Sequence, residues 1–210
     1  MALTELIDEY ITAAPAREPL FADEIFSWVR ERMPGAERAT FNEYLVRCLK
    51  KSGELKRFRR GIYYKSVKTP LGTAGIDKSA LLRKLYISDG KSVYGYETGA
   101  SLMNRLGLTS RMPAHIHIAT ERFNYRLAGE PLVLTKPIVK IDKDDHRYLQ
   151  LLDMLAAWDE VGVDAVDPIA ILRTFIVKNG LKFEKLLYYA GLYDNVAVYK
   201  RLAKLAREKV

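Results

Sequence analysis

The chain has 210 residues, of which 49% are hydrophobic, with one cysteine and a formal net charge of +8; that is enough length and apolar content for one large or two small packed domains without disulfide staples. The lone Cys48 excludes an intramolecular disulfide, no Cys/His group has zinc-ligand spacing, and no apolar run approaches the length of a membrane span. The opening MALTELIDEYI lacks a basic region followed by an apolar run, so a reducing, cytoplasmic location is expected.

Leu3, Leu6, Ile7, Tyr10 and Ile11 recur at helical spacing, and Pro15 closes this first predicted helix. A short extended piece follows around Pro19-Leu20. Asp23 opens a second helix with Ile25, Phe26, Val29 and Met33 on one face, stopped by Pro34-Gly35. Thr40-Phe41-Asn42-Glu43 reads as a capping box at the start of a third helix, whose inner face is Phe41, Tyr44, Leu45, Cys48 and Leu49. Gly53 stands where a left-handed C-cap is wanted. Leu55 to Arg59 and Ile62 to Lys65 then form two short strands around the turn Arg60-Gly61.

Three helices followed by a hairpin is the order of a winged helix-turn-helix, in which the third helix enters the major groove and the wing lies alongside. The charge points the same way. Between Arg47 and Lys68 there are nine basic residues against the single acid Glu54, an excess equal to the net charge of the whole chain, so the remaining residues are balanced. A focused positive strip is the electrostatic footprint of a phosphate-backbone binder. The candidates for base edges or nearby phosphates are Arg38, Thr40, Asn42 and Arg47, because recognition helices read bases mainly through their N-terminal turns. Lys50, Lys51, Lys56, Arg57, Arg59, Arg60 and Lys65 are expected to meet the DNA backbone. Phe58 and one of Tyr63 and Tyr64 are assigned to the core of the wing.

Pro70-Leu71-Gly72 reads as a linker, so a winged helix-turn-helix domain is expected over 1–70 and a mixed α/β domain with a helical tail over 71–210, an α+β chain overall. In the second part Ser79 to Ile87 is helical, Ser92 to Tyr94 a short strand, and Glu97 to Arg105 a helix capped by Gly107. Strands are expected at His115 to Thr120, Asn124 to Leu127, Leu132 to Thr135 and Ile138 to Ile141. Helices follow over Asp144 to Trp158, from the N-cap pair Asp167-Pro168 to Gly180, over Phe183 to Ala190 and over Val196 to Lys209.

Three further patterns have structural readings. Gly95-Tyr96-Glu97-Thr98-Gly99-Ala100-Ser101 lacks the lysine of a P-loop and the glycine spacing of a dinucleotide fold. His115 and His117 share a strand face but have no third ligand nearby, and Asp142, Asp144 and Asp145 fit helix caps as well as a magnesium site. No nucleophile elbow or metal pair with a base is present, so neither catalytic activity nor a cofactor is expected.

Two stretches carry a family resemblance. Arg57-Phe58-Arg59-Arg60-Gly61-Ile62-Tyr63-Tyr64 with Pro70-Leu71-Gly72, and Gly99 to Thr109 (GASLMNRLGLT) with Met112 to Thr120 (MPAHIHIAT), resemble the AbiEi-type antitoxins of the abortive-infection, type IV toxin–antitoxin systems. The resemblance spans about 80 residues, 40 to 120. It implies an N-terminal winged helix that represses its own operon and a C-terminal domain that counteracts a nucleotidyltransferase-like toxin, so the expected partners are promoter DNA and that toxin, with no membrane partner. Tyr188, Tyr189, Tyr193 and Tyr199 of the tail are candidates for protein recognition, with at least two of the four expected to pack helices together. The rival reading is a winged-helix transcriptional regulator whose second domain senses a ligand or dimerises, without a toxin.

Overall fold

The computed structural model describes residues 2–51, 55–70, 72–123, 127 and 129–207, without the side chains of 50 and 51. The chain is mixed α and β and divides into two compact units, Met1–Leu82 and Arg83–Val210.

The first unit runs α1 (Leu3–Ala13), β1 (Leu20–Phe21), α2 (Ala22–Arg32), α3 (Arg38–Lys51), β2 (Leu55–Arg59), β3 (Ile62–Lys65), β4 (Val67–Thr69), β5 (Gly72–Ala74) and the start of α4 (Lys78–Tyr86). β1, β3 and β2 make an antiparallel sheet in that order, with β2 and β3 joined by the turn at Arg60-Gly61 as their alternation predicts. The three helices close over the sheet because each brings one apolar stripe: Leu6 and Ile7 from α1, Ile25 and Val29 from α2, Phe41 and Leu45 from α3, packed with Leu55 and Tyr63 of the hairpin. A register shift between Arg57 and Arg59 leaves Phe58 as an extra residue on β2.

Two helix starts differ from the sequence reading. α3 begins at Arg38 rather than Thr40: the Glu37 carbonyl accepts the Phe41 N–H at 3.1 Å, so Thr40 lies inside the first turn and does not cap it. The cause is Arg38, whose guanidinium bonds Asp23 at 2.6 Å and stacks over Phe26 and Phe41, holding that turn against α2. α2 likewise starts at Ala22, which places Asp23 in its first turn, where an acid suits the helix dipole. The expected cap at Gly53 lies outside the described residues.

The first unit does not end at residue 70: β4 pairs antiparallel with β5, with Thr69 opposite Gly72. The chain beyond is stitched to the first unit by Arg17, which adopts φ 66°: its N–H donates to the Lys65 carbonyl at 2.8 Å, its carbonyl accepts from Asp77 N–H at 2.9 Å, and its Nε donates to the Gly75 carbonyl at 3.0 Å. The first unit therefore extends past residue 70, to Leu82.

The second unit contains β6 (Gly95–Thr98), α5 (Gly99–Arg105), β7 (Ile116–Thr120), β8 (Leu132–Thr135), α6 (His146–Ala156), α7 (Trp158–Val161), α8 (Pro168–Lys178), α9 (Phe183–Ala190) and α10 (Val196–Arg207). β7 is central, antiparallel to β6 and parallel to β8. Leu149 of α6 packs on Tyr96, Ala119 and Ile141, and the larger core gathers α5, α6, α8, α9 and α10 around Leu102, Leu151, Leu155, Leu172, Leu186 and Leu202. Asp167 caps α8 as its sequence predicts, accepting from Ala170 N–H at 2.9 Å ahead of Pro168.

The segment from Gly95 to Ser101 is a strand and a helix start, not a helix from Glu97. A Cβ at Gly95 would lie 1.9 Å from the Tyr86 carbonyl oxygen, and Gly99 turns at φ 62° beneath the His117 ring. Both glycines thus serve close packing. Val93 makes only an isolated bridge with Ser88 in place of the expected strand at Ser92 to Tyr94. Ile138 to Ile141 is not a strand either: the Ile141 N–H donates to the Glu121 carboxylate at 2.5 Å and its side chain is buried. Asn124 to Arg126 lie outside the described residues; Leu127 is buried. The single helix expected over Asp144 to Trp158 is α6 followed by α7: it starts at His146, after a turn in which Asp142 Oδ1 accepts from Asp144 N–H at 2.9 Å, and it is interrupted at Ala157.

The α6 carboxylate of Asp153 is buried, receiving bonds from Tyr193 Oη at 2.5 Å and Thr98 Oγ1 at 3.2 Å. The Tyr96 hydroxyl is buried beside it. Burial raises the Asp153 pKa, outweighing the hydrogen bonds that favour its anion.

Two expectations follow. Phe41→Ala should destabilise the first unit by about 3–5 kcal/mol in urea denaturation, whereas exposed Asn42→Ala should change it by less than about 0.5 kcal/mol. Because the folded-state pKa of Asp153 lies above its unfolded value, the folded chain holds the extra proton between the two, and stability falls as pH rises through that window. Asp153→Asn should flatten this dependence from about pH 4 upward; an unchanged slope would assign it to another group.

Candidate nucleic-acid interface

The packing of the first unit sorts its cations into two groups. Arg30 lies over Phe26, Arg32 stacks 3.8 Å from the Trp28 ring centroid and pairs with Glu31, and Arg38 is bound to Asp23. Lys65 Nζ donates to the Thr12 carbonyl at 2.9 Å, at the C-terminal end of α1. Arg30 and Arg32 thus lie along their own helix α2, whereas Arg38 ties α3 to α2 and Lys65 ties β3 to α1. Arg47 on α3, Lys56 and Arg57 on β2, and Arg60 at the turn are exposed, and among the described residues none of these four has an ion pair. Four exposed cations without an ion pair among the described residues, on elements that share one core, make a positively charged surface.

The sequence-predicted residues therefore separate. Thr40, Asn42 and Arg47 are exposed on α3, and Lys56, Arg57 and Arg60 are exposed on the hairpin. Arg38 and Lys65 are committed to internal partners, so each would have to exchange a partner to reach DNA. Arg59 is half-buried, and the side chains of Lys50 and Lys51 lie outside the described residues. Of the hairpin aromatics Tyr63 is buried, while Phe58 and Tyr64 are half-buried.

Helix α3 is oriented from behind. Tyr44 Oη donates to Asp8 on α1 at 2.7 Å, a bond that raises the tyrosine pKa and leaves it a phenol at any ordinary pH. With Phe41 and Leu45 inward, the outer stripe of α3 includes Asn42 and Val46. Val46 is 45% exposed. The sequence reading passed over it, although its i+4 spacing from Asn42 signals the outer face; an exposed apolar side chain there suits a thymine methyl group. Glu43, exposed one turn before Arg47, is the acid on this helix.

Elsewhere, Asp142 and Asp145 of the acidic motif are engaged in contacts. Asp145 bonds Lys185 and, at 2.5 Å, Tyr189 Oη; burial pushes its carboxyl up, but these bonds outweigh it and hold the pKa below the usual range. Among the described residues no group of three or more His, Cys, Asp or Glu is placed to hold a metal, and no helix is long and apolar enough to cross a membrane.

No family model matches the chain, and no curated protein matches it. Among solved structures, the crystal structure of the RV2827C protein from Mycobacterium tuberculosis is similar at 13% identity and a TM-score of 0.38, covering 98% of this chain and 80% of that one.

Replacing Arg47, Arg57 and Arg60 by alanine should reduce the log–log salt slope of duplex DNA binding by about 2.7, at roughly 0.9 per lost phosphate contact. The same change at Arg30 and Arg32 should leave the slope as it is. Fluorescence anisotropy across a salt series measures both.

Proposed function

We propose that the first unit is a winged helix-turn-helix that binds double-stranded DNA, with α3 as the recognition helix and the β2–β3 hairpin as the wing, and that the chain is an antitoxin that represses its own operon. The observation that carries the DNA reading is the set of cations Arg47, Lys56, Arg57 and Arg60 on these two elements, exposed and without an ion pair among the described residues, set against Arg32 and Arg38 of the same unit, which are engaged by rings and acids. Helix order, hairpin and charge then have one common use. Asn42 and Val46 face outward to read bases, while the wing cations meet phosphates.

The antitoxin role rests on the resemblance of residues 57–64 and 99–120 to the AbiEi type, and its partner is a nucleotidyltransferase-like toxin. The helical tail offers a surface suited to protein recognition. Tyr189 and Tyr193 are consumed by Asp145 and Asp153, whereas Tyr188 is 69% and Tyr199 41% exposed beside exposed Leu187. Exposed aromatics of this kind are enriched at interface centres.

Full-length chain carrying Arg47→Ala, Arg57→Ala and Arg60→Ala should lose promoter repression yet still relieve growth arrest by a toxin encoded beside it. Tyr188→Ala with Tyr199→Ala should do the reverse. Both measurements come from one co-expression strain with a promoter reporter. Loss of both activities in either folded variant would end the division of labour, and a triple-arginine variant that still represses would end the DNA reading.

A further inference from the structure

A second concentration of positive charge lies in the other unit, and the DNA reading does not use it. A crevice of about 400 Å³ opens among α5, α6 and α8. Its apolar wall includes Leu102, Leu106 and Phe175, and its cations are Arg105, Arg147 and Lys178; among the described residues no acid lines it.

The charges are not matched from within. Arg105 pairs with the Glu97 carboxylate. Arg147 Nη1 donates at 2.7 Å to Oε1 of Gln150, a neutral amide that is 1% exposed and itself donates to the Glu97 carbonyl at 2.6 Å. The buried glutamine therefore fixes the direction of the guanidinium without neutralising it. Lys178 has no ion pair among the described residues. Burial, and then the charge of Arg105, lower the pKa of Arg147, as expected of a cation held half-dehydrated near another. An arrangement with one carboxylate for three cations is relieved when an anion enters, and the guanidinium fork suits the paired oxygens of carboxylate or phosphate. The volume and the mixture of apolar wall with a few convergent polar groups are those of a small-ligand site.

We propose that this crevice binds a small organic anion: an apolar body against Leu102, Leu106 and Phe175, with a carboxylate or phosphate held by Arg147 and Lys178 at the side of Arg105. A nucleic-acid backbone fits less well, since it needs a row of cations along an open face rather than three around an apolar wall. The inference goes beyond the DNA reading and stands without it.

The test is calorimetric titration of the full chain with phenyl phosphate, benzoate, inorganic phosphate and benzyl alcohol. At least one aromatic anion should saturate below roughly 10 mM, an affinity in keeping with about ten non-hydrogen atoms. The phosphate and carboxylate arms identify the headgroup. Arg147→Gln and, separately, Lys178→Glu should each weaken the preferred anion by roughly tenfold, with Lys136→Glu, exposed and remote in sequence from the crevice residues, leaving it unchanged. If Arg147→Gln lacks the parent circular dichroism spectrum, the exposed Lys178 variant decides alone. No saturable binding of either aromatic anion would overturn the proposal. So would equal binding of benzyl alcohol or inorganic phosphate, or unchanged affinity in the folded variants.

Discussion

A single apolar core ties α1, α2 and α3 to the β2–β3 hairpin, and most of what the first unit presents follows from it. Phe41, Leu45, Leu55 and Tyr63 must all face inward to be buried together. Helical and strand periodicities then put Asn42, Val46, Arg47 and Lys56 on the surface, while Arg57 is exposed where the alternation breaks beside the register shift of β2. The positive strip is thus a by-product of burial as much as of composition: the chain cannot fold this core and hide these charges. Arg38, which lies near the rings and acid of α2, is drawn into the packing instead.

This explains which features were legible in the sequence. The hairpin bounds, the inner face of α3 and the Asp167-Pro168 start of α8 follow from local pattern, and each has the extent its residues predict. The start of α3 did not, because Thr40 and Glu43 satisfy the capping pattern while Arg38 finds its partner fifteen residues earlier, at Asp23. Pro70 to Gly72 has linker composition, and only the long-range bonds of Arg17 reveal that the chain there still belongs to the first unit. Of the interface candidates, exposure on α3 and the hairpin was readable from periodicity; the engagement of Lys65 by a carbonyl of α1 was not, since it depends on tertiary proximity. In the second unit Gly95 and Gly99 look like a ligand loop until the neighbouring carbonyl and imidazole supply a packing reason.

The second unit places polar groups where a purely apolar core would be simpler. Asp153 with Tyr193 and Thr98, Gln150 with the Glu97 carbonyl, and Asp145 with Tyr189 all cross between α6 and its neighbours. Leu149, Leu152 and Leu155 already supply the hydrophobic contact on the same helix. Hydrogen bonds of this kind add direction to an otherwise greasy interface, because an apolar helix can slide or rotate against its neighbours while a buried carboxylate facing one phenol cannot.

Arg17 reaches across 58 positions to Gly75, and this has a kinetic meaning. The β2–β3 hairpin joins near neighbours in sequence and can form on the microsecond scale, whereas closing a span of that length carries a loop entropy that local pairing avoids. On folding, the surface that carries the exposed cations therefore assembles ahead of the strap that follows it, and the strap is the natural first place for the unit to open.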